Sequence, residues 1–315
     1  MPIPKLNIIG ELINNSYARA RRAFTDRDVT KYQELAKGQS ALGAAYLTVN
    51  LDGTQRISVR AEEMLEFLPE VVPALQEATT TPLAFDNPSV DYHRVALAHY
   101  DASKSGRPIL NSLAASRTHL DEMIGLVKDH DTRVVVMASE YFTDEGGSQC
   151  LDPRDSHSAA KRFIDMLATQ ADRQPDDIII DVGLAPVGAD TYGLINIGLD
   201  AMKLITADPD LKGVHFIVGL SNFAWGTPKG VREQLENAYL TIAGELGLDY
   251  ALANVEKQPA ALPADDPLVA QLRDALEQGR RQGDETQEQA GFRQAEAIMA
   301  ICAANKEDED DDWDD

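Results

Sequence analysis

The chain is 315 residues long and 43% hydrophobic, and it carries 29 basic against 52 acidic side chains, a net charge of −23. That balance argues against nucleic-acid binding, since a phosphate backbone is repelled and no basic stripe interleaved with aromatics occurs. Only Cys150 and Cys302 are present and the six histidines have no ligand spacing, so neither a disulfide framework nor a bound metal is expected.

Taken in chain order, one event repeats: a short apolar run, then an acid or amide where it stops. The runs are Leu6–Glu11, Tyr46–Asp52, Pro82–Asn87, Pro108–Ser112, Arg133–Met137, Ile178–Gly183, His215–Asn222 and Tyr250–Val255. Each has the length and residue type of one buried strand. Between them lie one-sided apolar stripes at helical spacing, such as Tyr32, Leu35, Ala36, Gln39 and Leu42. Met64–Leu75 and Val231–Leu246 show the same periodicity.

Eight strands alternating with helices predict an α/β fold, a (β/α)8 barrel, with right-handed crossovers. The alternative is an open doubly wound sheet, but no G-x-G-x-x-G follows any run. In such a barrel the carboxyl ends of all strands share one mouth, where active sites sit. Glu11, Asn50, Asp86, Asn111, Asp181, Asn222 and Asn254 would converge there, a set suited to a small hydrogen-bonding heterocycle.

After the eighth run, Pro259–Pro267 reads as a loop. A helix follows from about Pro267 to Gln282, then a polar break at Gly283–Gln287 and a last helix near Glu288–Ala304. That last helix either caps the barrel or joins a subunit interface. The expected organisation is one barrel with a helical extension over residues 1–304, then an acidic tail over 305–315. Glu307–Asp315 holds eight acids, and such a run reads as a disordered, solvated extension rather than a docking arm for a basic partner. No run approaches the length of a membrane span, and the start MPIPKLNII has no signal-peptide pattern, so a soluble, cytoplasmic protein is expected.

The strand ends resemble those of the pterin-binding barrels, and most of all the methyltetrahydrofolate:corrinoid methyltransferases. Ile9-Gly10-Glu11-Leu12-Ile13-Asn14 is similar to the Gly-Glu-Arg-Ile-Asn signature of that subgroup. Asp86 matches its pterin-contacting aspartate, Asn111-Ser112 its Asn-Ser pair, Ile180-Asp181 its Ile-Asp, and Gly219-Leu220-Ser221-Asn222 its Gly-(Leu/Val)-Ser-Asn. The matches fall in order from residue 9 to 222. Leu12 replaces the signature arginine, Thr48 stands where relatives often place an aspartate, and Tyr141–Arg154 is unusually Gly-rich and acidic.

The resemblance implies a dihydropteroate-synthase-like barrel that binds tetrahydrofolate or 5-methyltetrahydrofolate. It implies Asp86, Asn111, Asp181, Asn222, Gly219, Ser221, Glu11, Asn14 and Asn50 as pterin-binding residues, with Asn222 and Asp181 taking part in catalysis. For Asn14 and Asn87, capping of a turn competes equally with binding. The resemblance further implies a homodimer and a separate corrinoid protein, a transient partner whose cobalamin exchanges the methyl group with N5. The direction of transfer stays open. Two alternatives remain. One is dihydropteroate synthase chemistry, whose Asn-x-Thr-Pro-Asp-Ser-Phe loop is replaced here by Asn14-Asn15-Ser16-Tyr17. The other is a non-catalytic pterin-binding protein.

Overall fold

The structure, a computed structural model, describes residues 4–144 and 146–305. Of the expected acidic tail over residues 305–315, residues 306–315 lie outside them.

All eight apolar runs form strands. These are β1 (Asn7–Gly10), β2 (Tyr46–Val49), β3 (Leu83–Asp86), β4 (Ile109–Leu113) and β5 (Arg133–Met137). A short antiparallel hairpin, β6 (Glu140–Thr143) with β7 (Gly146–Gln149), intervenes. β8 (Ile178–Asp181), β9 (His215–Gly219) and β10 (Tyr250–Ala253) complete the set. The barrel closes in the order β1-β10-β9-β8-β5-β4-β3-β2, every pair parallel. The fold is a (β/α)8 barrel.

Alternation along each strand divides the side chains into two cores. Leu47, Val49, Phe85, Leu110, Ile180 and Val218 face outward and pack against the helical stripes. Ile9, Ala84, Ile109, Val135, Ile179 and Ile217 face inward and fill the lumen. Two residues further along several of these strands, the inward positions become Glu11, Asp86, Asn111 and Asp181. The change from aliphatic to polar therefore happens in one layer, at the carboxyl ends.

The helix Ala61–Ala78 shows what a strong stripe can override. Pro69 and Pro73 lie inside it, each removing a backbone donor. It persists because Met64, Phe67, Leu68, Val71, Val72 and Leu75 are all buried on one face.

At the amino-terminal end the lumen is plugged by Tyr46 and Tyr250, ring centroids 6.4 Å apart, and by Arg133, whose Nη1 donates to the Tyr250 hydroxyl at 2.9 Å. Tyr250→Phe would leave that guanidinium short of an acceptor. It should cost roughly 1–2 kcal/mol in urea denaturation while leaving ligand affinity unchanged, because the mouth is at the opposite end.

Three local expectations need adjusting. The seventh run reads through Asn222, but β9 ends at Gly219 and Leu220–Phe223 form one short helical turn. The helix expected to reach Gln282 spans Pro267–Gln278 and stops at Gly279. The last helix, Gln287–Ala304, packs against its predecessor and against the loop after β8, where Gln294 Nε2 donates to the Val187 carbonyl at 3.2 Å. Gly291 is obligatory in that contact, since a Cβ there would lie 2.8 Å from the Asp190 carbonyl oxygen.

Candidate functional site at the barrel mouth

The mouth is built from the last residue or two of each strand. Asp86 and Asn111 are register neighbours on β3 and β4. Asn50, one residue past β2, donates from Nδ2 to Asp86 Oδ2 at 3.1 Å and accepts the Asp52 N–H at 3.0 Å on its own Oδ1. It therefore fixes the orientation of Asp86. Across the lumen, Asp181 Oδ1 accepts the Gly183 N–H at 2.7 Å, which holds that carboxylate at the rim.

Asn222 sits in the turn after β9, exposed, with its amide folded back toward the strand end. A Cβ on Gly219 would fall 2.8 Å from Asn222 Nδ2, so the glycine makes room for that orientation. Among the described residues neither Asn111 nor Asn222 has a hydrogen-bond partner for its side chain. Both amides are free to donate and accept toward the mouth.

Electrostatics sharpen the picture. Burial pushes Asp181 up to about 6; the Gly183 N–H opposes that shift and the nearby charge of Asp86 adds to it. Asp86 is also raised by burial, countered by Asn50 and by the Arg117 guanidinium. Arg117 donates to the Ser112 carbonyl at 3.3 Å and interacts electrostatically with Glu140 and Asp86. Beneath the rim, Thr48 is fully buried on β2 and its hydroxyl has no partner. An orphaned hydroxyl next to this ring is an unused polar group for a ligand or water in the lumen.

The remaining candidates form a separate group. Glu11 is buried and accepts a hydrogen bond from the Tyr17 hydroxyl and another from Ser221 Oγ at 3.3 Å. Asn14 Oδ1 accepts the Ser16 N–H at 2.8 Å, closing a turn, and Asn14 bridges to Asn50 through the backbone. Asn87 accepts from the Ser89 N–H at 2.9 Å and Asn254 from the Glu256 N–H at 2.9 Å.

Arg117, Tyr17, Glu236 and Lys257 were not evident from the sequence. None lies at the end of an apolar run; each reaches the mouth region from a loop or helix. Among the described residues no cluster of His, Cys, Asp or Glu has metal-binding geometry, and no helix is long and apolar enough to cross a membrane.

In a parallel eight-stranded barrel the functional groups sit at the carboxyl ends of the strands, where these carboxylates and amides stand. The chain belongs to the pterin binding enzyme family, which it matches over residues 13–254. It is 22% identical over 286 residues to a methylcorrinoid:tetrahydrofolate methyltransferase of Eubacterium limosum, an alignment covering 87% of this chain and 97% of that protein. It is 26% identical over 260 residues to the methionine synthase of Mycobacterium tuberculosis, covering 79% of this chain but only 20% of that much longer protein. Its fold is similar to the dihydropteroate synthase of Xanthomonas albilineans, with a TM-score of 0.55 and 18% identity over 87% of this chain and 92% of that one.

Proposed function

We propose that this protein moves a methyl group between N5 of tetrahydrofolate and the corrinoid of a separate protein. The observation that carries the reading is the mouth itself, where two carboxylates, Asp86 and Asp181, stand at strand ends together with two amides, Asn111 and Asn222, whose side chains have no partner among the described residues. The near full-length match to a methylcorrinoid:tetrahydrofolate methyltransferase supports the choice of reaction within the family.

A reduced pterin presents a 2-amino group and ring N–H groups along one edge. Ionised Asp86 and Asp181 accept from these, and Asn111 supplies both a donor and an acceptor to the carbonyl side. Thr48 offers its hydroxyl from below. With that edge held in the lumen, N5 points out of the mouth toward Asn222.

Methyl transfer from N5 requires a tertiary amine to become a leaving group, so N5 must gain positive character as the methyl departs. Catalysis then depends on stabilising that charge more in the transition state than in the bound substrate. The Asn222 side-chain oxygen accepts a hydrogen bond from N5 as it is protonated, but an amide is not itself an acid. The partner's corrinoid supplies the group that accepts or donates the methyl. The reading also makes the docking transient at an open mouth and the barrel a homodimer, with tetrahydrofolate or its 5-methyl form as the only small molecule held by this chain.

Calorimetry tests the first requirement. Tetrahydrofolate and 5-methyltetrahydrofolate are expected to bind one per barrel, and Asp86→Ala to weaken both by about 5- to 150-fold, the equivalent of roughly 1–3 kcal/mol for a buried N–H left without an acceptor. Absence of binding to the wild type would remove the pterin reading.

A further inference from the structure

Beside the mouth lies a second buried cluster, left unused by the pterin contacts proposed above. A cavity of about 150 Å³ opens between β1, the turn after β9 and the helix Lys229–Gly244, with Glu11, Tyr17, Ser221, Glu236, Asn254 and Lys257 on its walls. At roughly 30 Å³ per water it has room for a few. Glu236 is 7% exposed, lines this cavity, and makes no hydrogen bond to any described residue.

An unpartnered carboxylate in such a place is costly, and the group responds by holding a proton. Charged groups act on it from each neighbouring element: Lys257 from the loop after β10, Glu11 from β1, and Glu233 and Arg232 from its own helix. The Lys257 ammonium lies 3.8 Å from Glu233, and its pull on Glu236 is smaller than the effect of burial. The result is a Glu236 carboxyl pushed up to about 7. Glu11 is raised too, mainly by burial, against the opposing hydrogen bonds from Tyr17 and Ser221. Tyr17 itself is driven far above neutrality and keeps its proton.

The cluster is connected to the mouth. Ser221 Oγ lies 3.3 Å from Glu11 Oε2, and Ser221 is the residue before Asn222 in the same short turn. Oxygen atoms thus lead from Glu236, through the cavity and Glu11, to the edge of the proposed pterin site.

We propose that Glu236 holds the proton consumed by the reaction at the mouth, with the cavity, Glu11 and the Ser221 hydroxyl as its path to N5. The inference rests on the methyl transfer proposed above. When the C–N5 bond breaks, its electron pair stays on N5 and the methyl group passes to the corrinoid acceptor. N5 takes a proton from the Ser221 hydroxyl, which is replaced from Glu11, and Glu11 recovers one from Glu236 through cavity water. Solvent then reprotonates Glu236. In the reverse direction the N5 proton leaves by the same path. Glu236 touches no substrate, so it acts as a positioning residue for the proton.

The test uses Glu236→Gln and Glu236→Asp in the full chain. Single-turnover transfer from 5-methyltetrahydrofolate to cob(I)alamin by the wild type should slow as pH rises through about 7. Glu236→Gln should be slower by about 10²-fold, the usual size of a lost proton donor, with a flattened pH profile and an unchanged folate Kd. Glu236→Asp should keep the pH-dependent limb. Independently of turnover, infrared spectroscopy should find in the wild type a protonated-carboxyl band that disappears as pH rises through about 7 and is missing from Glu236→Gln. A variant with wild-type rate and pH profile, or a wild type without that band, overturns the relay and leaves the methyl-transfer reading standing. A wild type that transfers no methyl in either direction overturns that reading, and the relay with it.

Discussion

Asn222→Ala is expected to slow methyl transfer by about 10²–10³-fold while weakening 5-methyltetrahydrofolate binding only a few-fold. Neutral N5 in the bound substrate gains little from an amide oxygen. As N5 takes up a proton, the same oxygen accepts a charge-assisted bond about twice as strong as a neutral one. An interaction made mainly in the transition state lowers kcat and kcat/KM together and leaves Kd nearly alone. The geometry suits that role: the amide has no partner among the described residues and is folded over the end of β9 because Gly219 has no side chain. Single-turnover kinetics and calorimetry on the same preparation separate the two effects. A variant whose Kd rises as much as its rate falls would make Asn222 an ordinary pocket residue.

Asp181→Asn is expected to gain stability and lose affinity at once. The carboxyl titrates near about 6 in the folded protein, above its unfolded value of about 3.9. Its stabilising contribution is therefore fully present below pH 3.9 or so and is lost as pH rises through 6. Above that, holding the ionised form beside Asp86 at the rim costs the apo protein about 1–3 kcal/mol at ~1.4 kcal/mol per unit. An asparagine keeps the oxygen that accepts the Gly183 N–H and never ionises.

Denaturation at pH 8 should thus show a more stable variant, and at pH 4 the gain should vanish. Pterin affinity should drop by about 5- to 150-fold, because one buried N–H loses its acceptor. In the wild type, affinity should fall as pH is lowered through 6, since protonation removes the same acceptor. A destabilised variant at pH 8, or unchanged affinity, would show that Asp181 is a structural cap.

The barrel was legible because each strand carries its own signal. Runs such as Arg133–Met137 and Ile178–Asp181 are β-branched and end at a polar residue, and burial on both faces makes them continuous rather than alternating. The β6–β7 hairpin was not legible. Gly146-Gly147-Ser148-Gln149 has neither alternation nor β-branched residues, and it exists because Gly147 fits against the backbone at Ser116, where a Cβ would lie 2.6 Å from a nitrogen. That is a long-range fit with no local pattern.

The candidate site divides in the same way. Asp86, Asn111 and Asp181 were findable because they end strands, and the ends of parallel barrel strands must share a face. Glu236 could not be found by that rule. It lies within the helical stripe of Lys229–Gly244 and reads as a solvated charge until the fold turns it inward. Arg117 likewise comes from a loop whose position depends on the hairpin.

Methyl transfer is tested by rapid mixing of the protein, preloaded with 5-methyltetrahydrofolate, with cob(I)alamin while the cob(I) absorbance is followed. The expected result is a saturable, protein-dependent loss of that absorbance, with methylcobalamin and tetrahydrofolate formed in equal amounts, and the reverse reaction when methylcobalamin and tetrahydrofolate are supplied. A protein that binds folate yet transfers no methyl group in either direction contradicts it. If that protein instead condenses a pterin diphosphate with p-aminobenzoate, the mouth serves a synthase.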